Sequence, residues 1–537
     1  MRAQVQHILV VLTLASLMLA QQPGARPAQL TPLSETERIA HALSRLSYGA
    51  RPGDVAAIRA TGLERWIEKE LAADPALDAA LDQDLARYKT LGKNFRDLQT
   101  LLTAGQRRDE IRRLAANELR QVVVHRALSS ERQLHEVLAD FWRNHFNVDV
   151  SKESVGATAT HYEEHALRPF ILGNFGDMLS ATAHHPAMLV YLDNALSRRA
   201  PPRSELRMLE RRVRRETGSE QAARERVEIA RQSGLNENYA RELMELHTLG
   251  VDNGYTQKDV TEVARAFTGW SVDFEAKDGT GFVYREDLHD TEPKVVLGRA
   301  LQEGRREDGV NEGEAVLKRL INHENTAGFI AKKLVRWLVS DDPPDAIVNA
   351  AKDTFRQTKG DLRAVVKAIL THPAFYSREH YMAKFKTPFE FVVSALRATG
   401  ATVTNYEAVV ESIGQLGLRI YGMEDPTGWA ETAEAWRDPG VMALRWRFAL
   451  TLARDGVRGV VIPPAFYADL PTDPVELATK LTERLVPQGL GPATSAVVER
   501  LVLQRVAKGG AGDAAGRLAL ARDLVCVLIG SPEFQQQ

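Results

Sequence analysis

Histidine carries the densest chemical signal in this chain: there are 14, and seven of them fall between His125 and His185. The sharpest local pattern is His161-Tyr162-Glu163-Glu164-His165, which reads H-x-x-E-H. Residues four apart share one helix face, so His161 and His165 could chelate one divalent metal such as zinc, with the neighbouring glutamate as base. Glu242 follows 77 residues after His165, near where inverted-motif zinc peptidases place a third ligand. The same stretch also spells a capping box, Thr160-x-x-Glu163, and would then simply begin a helix running to Arg168-Pro169.

A second set lies on two longer helical patterns. At roughly 100° per residue, Leu134, Leu138, Phe141 and His145 share one face of the segment Glu131–Asn147. In Asn236–Leu249 the apolar arc holds Tyr239, Ala240, Leu243, Leu246 and His247, and the opposite arc holds Asn238, Arg241, Glu242 and Glu245. His145 and His247 therefore sit within core-facing stripes, where helical bundles either satisfy a histidine or build a ligand set. A di-iron carboxylate site does not fit, because Glu242 and Glu245 lie roughly 140–160° around the helix from His247. Glu237–Arg241 and Arg241–Glu245 are i,i+4 pairs, suited to surface stabilisation or to an internal charged network. His289-Asp290 could ligate a metal, move protons or form a polar turn.

The elements that must position these residues read as helix after helix. Apolar residues recur at helical spacing in Thr36–Ser47, Leu63–Ala72, Ser130–Phe146, Asn236–Leu249, Gln257–Thr268, Glu314–Val339, Leu362–Leu370, Pro388–Ala398 and Pro474–Val486. Asp473-Pro474 supplies a cap followed by a first-turn proline. Ala181–Met188 (ATAHHPAM) and Ala368–Phe375 (AILTHPAF) share a His-Pro mark that predicts a helix–break–helix joint. Phe282–Tyr284 and Lys294–Leu297 are short β-prone runs flanking Arg285–Pro293, a pattern that suits a hairpin. The expected class is mainly α: a multi-helix globular protein with one small β-hairpin element. Arg198–Arg231 stands apart, with 11 Arg and 6 Glu, and reads as a solvated, partly helical insertion laced with Arg–Glu pairs.

Composition bounds the function classes. The formal charge is −2, with 26% charged and 44% hydrophobic residues, an ordinary globular balance that makes no electrostatic case for nucleic acid. Cys526 is the sole cysteine, so there is no intrachain disulfide and no cysteine-based metal site, and its apolar surroundings suit a small buried hydrophobe. Ile8–Ala20 is an unbroken apolar run of 13 residues, short for a membrane span and suited to a signal peptide over residues 1–20. Export to the periplasm or beyond is the expectation, with no transmembrane span besides that segment. No P-loop, dinucleotide fingerprint or nucleophile elbow occurs.

Longer strings carry a family resemblance. Asn236–Gly250 (NENYARELMELHTLG) is followed by Gly254–Lys258 (GYTQK) and Phe267–Trp270 (FTGW). With it go Phe141–Phe146 (FWRNHF), Gly173–Phe175 (GNF), His289-Asp290 ahead of Lys294, and Lys384–Glu390 (KFKTPFE). Together they resemble the bacterial family known as domain of unknown function 1800 (DUF1800), from about Ser34 to the C-terminus. The resemblance implies an exported, mainly helical core over 34–455, interrupted by the 198–231 insertion, with 456–537 as the C-terminal helical part of the same unit. It implies no established reaction, and it suggests as partner an exported protein like the alkaline phosphatases and sulfatases. That family does not generally carry the H-x-x-E-H motif, and it accepts Phe where this chain has His247. The positions it marks include Trp142, His145, Asn236, Glu237, Asn238, Arg241, Glu242, Glu245, Trp270, His289, Asp290 and Lys386. Two functional classes follow. In a hydrolase-like enzyme, Glu242 and Glu245 would serve as base or as ligands to one divalent metal, Arg241 as anion clamp, and His289, with Asp290 and His145, in acid–base roles. Asn236, Asn238, Trp270 and Lys386 would then bind substrate. In a non-catalytic binding or maturation partner, the same polar face is structural and the insertion is a docking arm. A zinc peptidase built on His161 and His165 is the third expectation.

Overall fold

The computed structural model describes residues 32–101, 107–152, 154–232, 234–275, 280–301, 309–507 and 513–537. The proposed signal segment lies outside the described residues. Within them the chain is mainly helical, and its strands are limited to antiparallel pairs two or three residues long. No described helix is long and apolar enough to cross a membrane.

Helix boundaries follow local chemistry. Leu63–Ala72 and Pro388–Ala398 form with the ends expected from apolar spacing. Capping boxes start three helices, through Ser34 with Glu37, Thr256 with Asp259 and Thr387 with Glu390. Asp473 caps its helix by accepting from the Val475 and Glu476 N–H groups, both at 2.9 Å, ahead of Pro474 at the first turn. Both His-Pro joints are helix breaks with a common device. The Nδ1 of His185 accepts from the Ala187 N–H at 3.1 Å, and that of His372 from the Ala374 N–H at 3.2 Å. His323 repeats it at Asn325, 3.2 Å, and so splits the expected helix Glu314–Val339 into Gly309–Ile321 and Glu324–Leu338. The imidazole does for these starts what a serine or aspartate oxygen does elsewhere.

Other expectations change. Ser130–Phe146 begins three residues later, as Gln133–His145, after a separate long helix, Arg108–Ser129. The two β-prone runs do not pair with each other. Phe282–Tyr284 pairs with Trp270–Val272, and Val295–Val296 pairs with Arg299–Ala300 across a tight turn at Leu297-Gly298. Strand propensity marked the right residues, but the partner of the first run precedes it in the chain and does not lie beyond the polar stretch.

One cluster of buried apolar side chains runs from Ile39 to Phe534 and includes residues of 456–537. Phe141, Trp142, Phe146 and Phe175 pack ring on ring at its centre, each withdrawal from water contributing about 1.5–3 kcal/mol. Cys526 is buried in the same cluster, and burial pushes its thiol up to about 12, which keeps it protonated.

Candidate functional site

The histidine motif is not a helix start. The helix there begins after Ser154 and runs Val155–Tyr162, so Thr160 lies inside it, buried, and forms no capping box with Glu163. At Glu163 the turn widens into a π segment, Glu163–Leu167. That widening turns the two glutamates inward onto cations. Glu163 is 1% exposed and is held by Arg143 at 2.9 and 3.2 Å, with the Tyr421 hydroxyl donating to it as well. Burial alone pushes its carboxyl up, but Arg143 and Arg168 outweigh that and hold it below its usual range. Glu164 is forked by Arg126 at 2.6 and 3.2 Å. Neither carboxylate is free to serve as base.

His161 and His165 do come together, with ring centroids 4.1 Å apart, and His185 joins them, its Nε2 lying 2.9 Å from the His161 Nδ1. The cap decides what this pair can do. Because the His185 Nδ1 accepts from a backbone N–H, the neutral ring carries its proton on Nε2, which donates to the His161 Nδ1. A metal at that point would need lone pairs on both nitrogens and would cost the cap. Burial, with His165 beside it, brings the His161 ring down to about 4, and burial with both neighbours takes His185 well below its usual value. Among the described residues no group of three or more His, Cys, Asp or Glu is disposed to hold a metal ion.

The other candidates fall into separate places. The His145 Nε2 lies 3.2 Å from the His247 carbonyl, between Phe141, Trp142, Phe146 and Phe329. Burial first, then the Lys333 charge, brings His247 down to about 3 and His145 well below its usual value, so both rings are neutral core residues. The His289 Nδ1 lies 2.8 Å from the Thr268 carbonyl, and its Nε2 lies 3.3 Å from Glu312, which pairs with the buried Lys294 at 2.6 Å. Asp290 forks Arg265 at 2.9 and 3.1 Å, and Arg265 also holds Glu262 at 3.0 Å. Trp270 is fully buried against His184, Phe267 and Phe282. Lys386 is buried with its ammonium 4.0 Å from the Phe534 ring centre, and burial brings it down to about 7. His145, His247, His289, Asp290, Trp270 and Lys386 therefore serve packing and ion pairing in separate places.

What stays open to water is the polar arc of the helix Asn238–Glu245. Asn236 sets its start: its Oδ1 accepts from the Asn238 N–H at 2.8 Å, and its Nδ2 donates to the Asp193 carbonyl at 3.3 Å. Arg241 donates to Gln257 at 2.9 Å and pairs with Glu237 at 3.5 Å, while Glu237 accepts from Gln257 at 2.7 Å and Thr261 at 2.6 Å. This mesh ties the helix to Gln257–Ala266, so Arg241 is a strut. Glu245 meets the Tyr255 hydroxyl. Glu242 has no hydrogen bond or ion pair to its side chain among the described residues. Half-buried, it is pushed up to about 7, first by desolvation, then by the charges of Glu245 and Asp425, with Arg241 opposing. At its end the helix widens: the Glu242 carbonyl accepts from both the Leu246 and His247 N–H groups, at 2.8 and 2.9 Å.

Sequence reasoning missed the far wall of this site. Asn147, just after the His145 helix, donates to the Tyr191 hydroxyl at 3.2 Å and to the Met423 and Asp425 carbonyls at 2.9 and 3.0 Å. Tyr191 in turn donates to the Glu424 carbonyl at 2.9 Å. These bonds hold the turn carrying Asp425 near Glu242. The adjacency of Asn147 to the FWRNHF string was the only signal in the sequence.

The fold and this surface define a mainly helical protein that keeps a carboxylate pair at its surface, one member poised near neutrality, over a core of paired buried charges. The chain belongs to the family described as protein of unknown function (DUF1800), which it matches over residues 41–536. No curated protein and no solved structure matches it.

Proposed function

We propose that the chain is an exported hydrolase-like enzyme in which Glu242 and Glu245 perform acid–base chemistry. The observation that carries this reading is the half-buried Glu242 carboxyl near 7, without a hydrogen-bond partner among the described residues. A carboxyl so placed is partly protonated at neutral pH and can give a proton to a leaving group. Glu245, one turn on, is placed to activate water; the two are i,i+3 neighbours with Cβ atoms about 5–6 Å apart. The assay is hydrolysis of a panel of chromogenic esters and glycosides by the chain from Gln21 onward, with pH–rate profiles for parent, Glu242→Gln and Glu245→Gln. The expected result is activity with an apparent pKa near 7 that falls at least about a hundredfold in Glu242→Gln. Activity that survives this substitution, or a folded chain that hydrolyses nothing in the panel, refutes the proposal and favours a non-catalytic role.

A further inference from the structure

The segment between Ser197 and Asn236 leaves the body and returns as a helical hairpin, Arg203–Thr217 and Glu220–Gln232, turned at Gly218 in the left-handed region. Its root is fastened beside the candidate helix. The Asn236 N–H donates to the Ser197 Oγ at 3.2 Å, and the Arg199 N–H donates to the Leu288 carbonyl at 2.7 Å. The hairpin buries little of itself: Leu206, Leu209 and Val213 are partly buried, and among the described residues only Ala223 is fully buried.

Its charge is one-sided. With 11 Arg against 6 Glu, residues 198–231 carry +5, while the whole chain carries −2. Some of this is internally paired, Arg214 with Glu210 and Glu220, and Arg224 with Glu220. Arg203, Arg207, Arg211 and Arg215 are not: all four are exposed, and none has a carboxylate within ion-pair distance among the described residues. They follow one another at four-residue spacing, a continuous ridge with steps of about 6 Å. Like charges at i,i+4 destabilise a helix, so the ridge detracts from the stability of the hairpin that carries it. Met208, 62% exposed, sits beside it, flanked by Arg211 and Arg212.

We propose that this ridge docks an acidic helix of a partner protein, one presenting carboxylates at the same four-residue spacing. The guanidinium fork matches a carboxylate in two parallel hydrogen bonds, and a facing helix repeats its acids at the same step. A membrane is the poorer fit, because a surface-seeking helix needs an exposed apolar face, and here Leu206, Leu209 and Val213 are partly buried. The docked partner would stand next to the root at Asn236 and so beside the Glu242 surface. The inference does not depend on the chemistry assigned to Glu242.

The test is fluorescence anisotropy of the full chain with three probes: a labelled Ala-rich helical peptide with Glu at every fourth position, a peptide of the same composition with the Glu positions scrambled, and phosphatidylglycerol vesicles. The regular peptide is expected to bind at least about tenfold more tightly than the scrambled one and to weaken as salt rises. Arg207→Gln combined with Arg211→Gln, which keeps helix propensity and removes charge, should lose about tenfold or more, and Arg224→Gln should not. Equal binding of the two peptides, binding indifferent to the double substitution with the helical signal intact, or preference for vesicles would each overturn the proposal.

Discussion

Replacing Glu242 by Gln should make the protein more stable, and only at the upper end of the pH range. The carboxyl titrates at about 7 in the folded protein against an ordinary value of 4.5. Between those two values the unfolded chain has released a proton that the folded chain still holds, so stability falls as pH rises through this window and stays reduced above it. At about 1.36 kcal/mol for each tenfold step in proton activity, the interval corresponds to at most about 3 kcal/mol. Glu242 is only half withdrawn from water, and solvent screening reduces that to about 1–2 kcal/mol. Gln has the same shape and no charge, so the variant escapes the cost. Urea unfolding followed by tryptophan fluorescence is the assay, with parent and Glu242→Gln compared at pH 5 and pH 8. The expected result is little difference at pH 5 and a variant more stable by about 1–2 kcal/mol at pH 8. A variant that is less stable at pH 8, or that shifts equally at both values, would mean that Glu242 is not held near neutrality by burial and like charge.

The buried ion pair behaves in the opposite sense. Glu163→Ala leaves Arg143 and Arg168 short of a carboxylate inside the core and should cost about 3–5 kcal/mol in the same unfolding assay. Because the Glu163 carboxyl is held below its usual range, its contribution is present above the ordinary carboxylate value and disappears as pH falls through the depressed one; a variant whose deficit persists unchanged in acid would contradict this. Zinc added at neutral pH should find no tight site at the three clustered histidines, since the His185 cap places a proton where the metal needs a lone pair. Elemental analysis that finds one equivalent in the parent and none in His161→Ala would refute the tautomer assignment.

The sequence by itself determined what depends on neighbours a few residues away. Helix boundaries at Leu63–Ala72 and Pro388–Ala398, the Asp473 cap and the two His-Pro joints follow from periodicity, fixed proline geometry and orphan N–H groups, all of which act within one turn of chain. The solvated Arg/Glu hairpin was legible for the same reason: a segment poor in large apolar residues has little to bury. The tertiary structure decided everything that depends on distant partners. Phe282–Tyr284 shows β-propensity alone, and only packing pairs it with Trp270–Val272. The H-x-x-E-H spacing is equally compatible with a metal site and with what is found, because Arg126, Arg143 and Tyr421 claim its glutamates from elsewhere in the chain. His145, His289 and Glu242 looked like members of one site, yet burial made His145 a neutral core ring, set His289 against Glu312, and left Glu242 half-exposed near Asp425. Charge and desolvation depend on three-dimensional distance, and spacing along the chain carries almost none of that information.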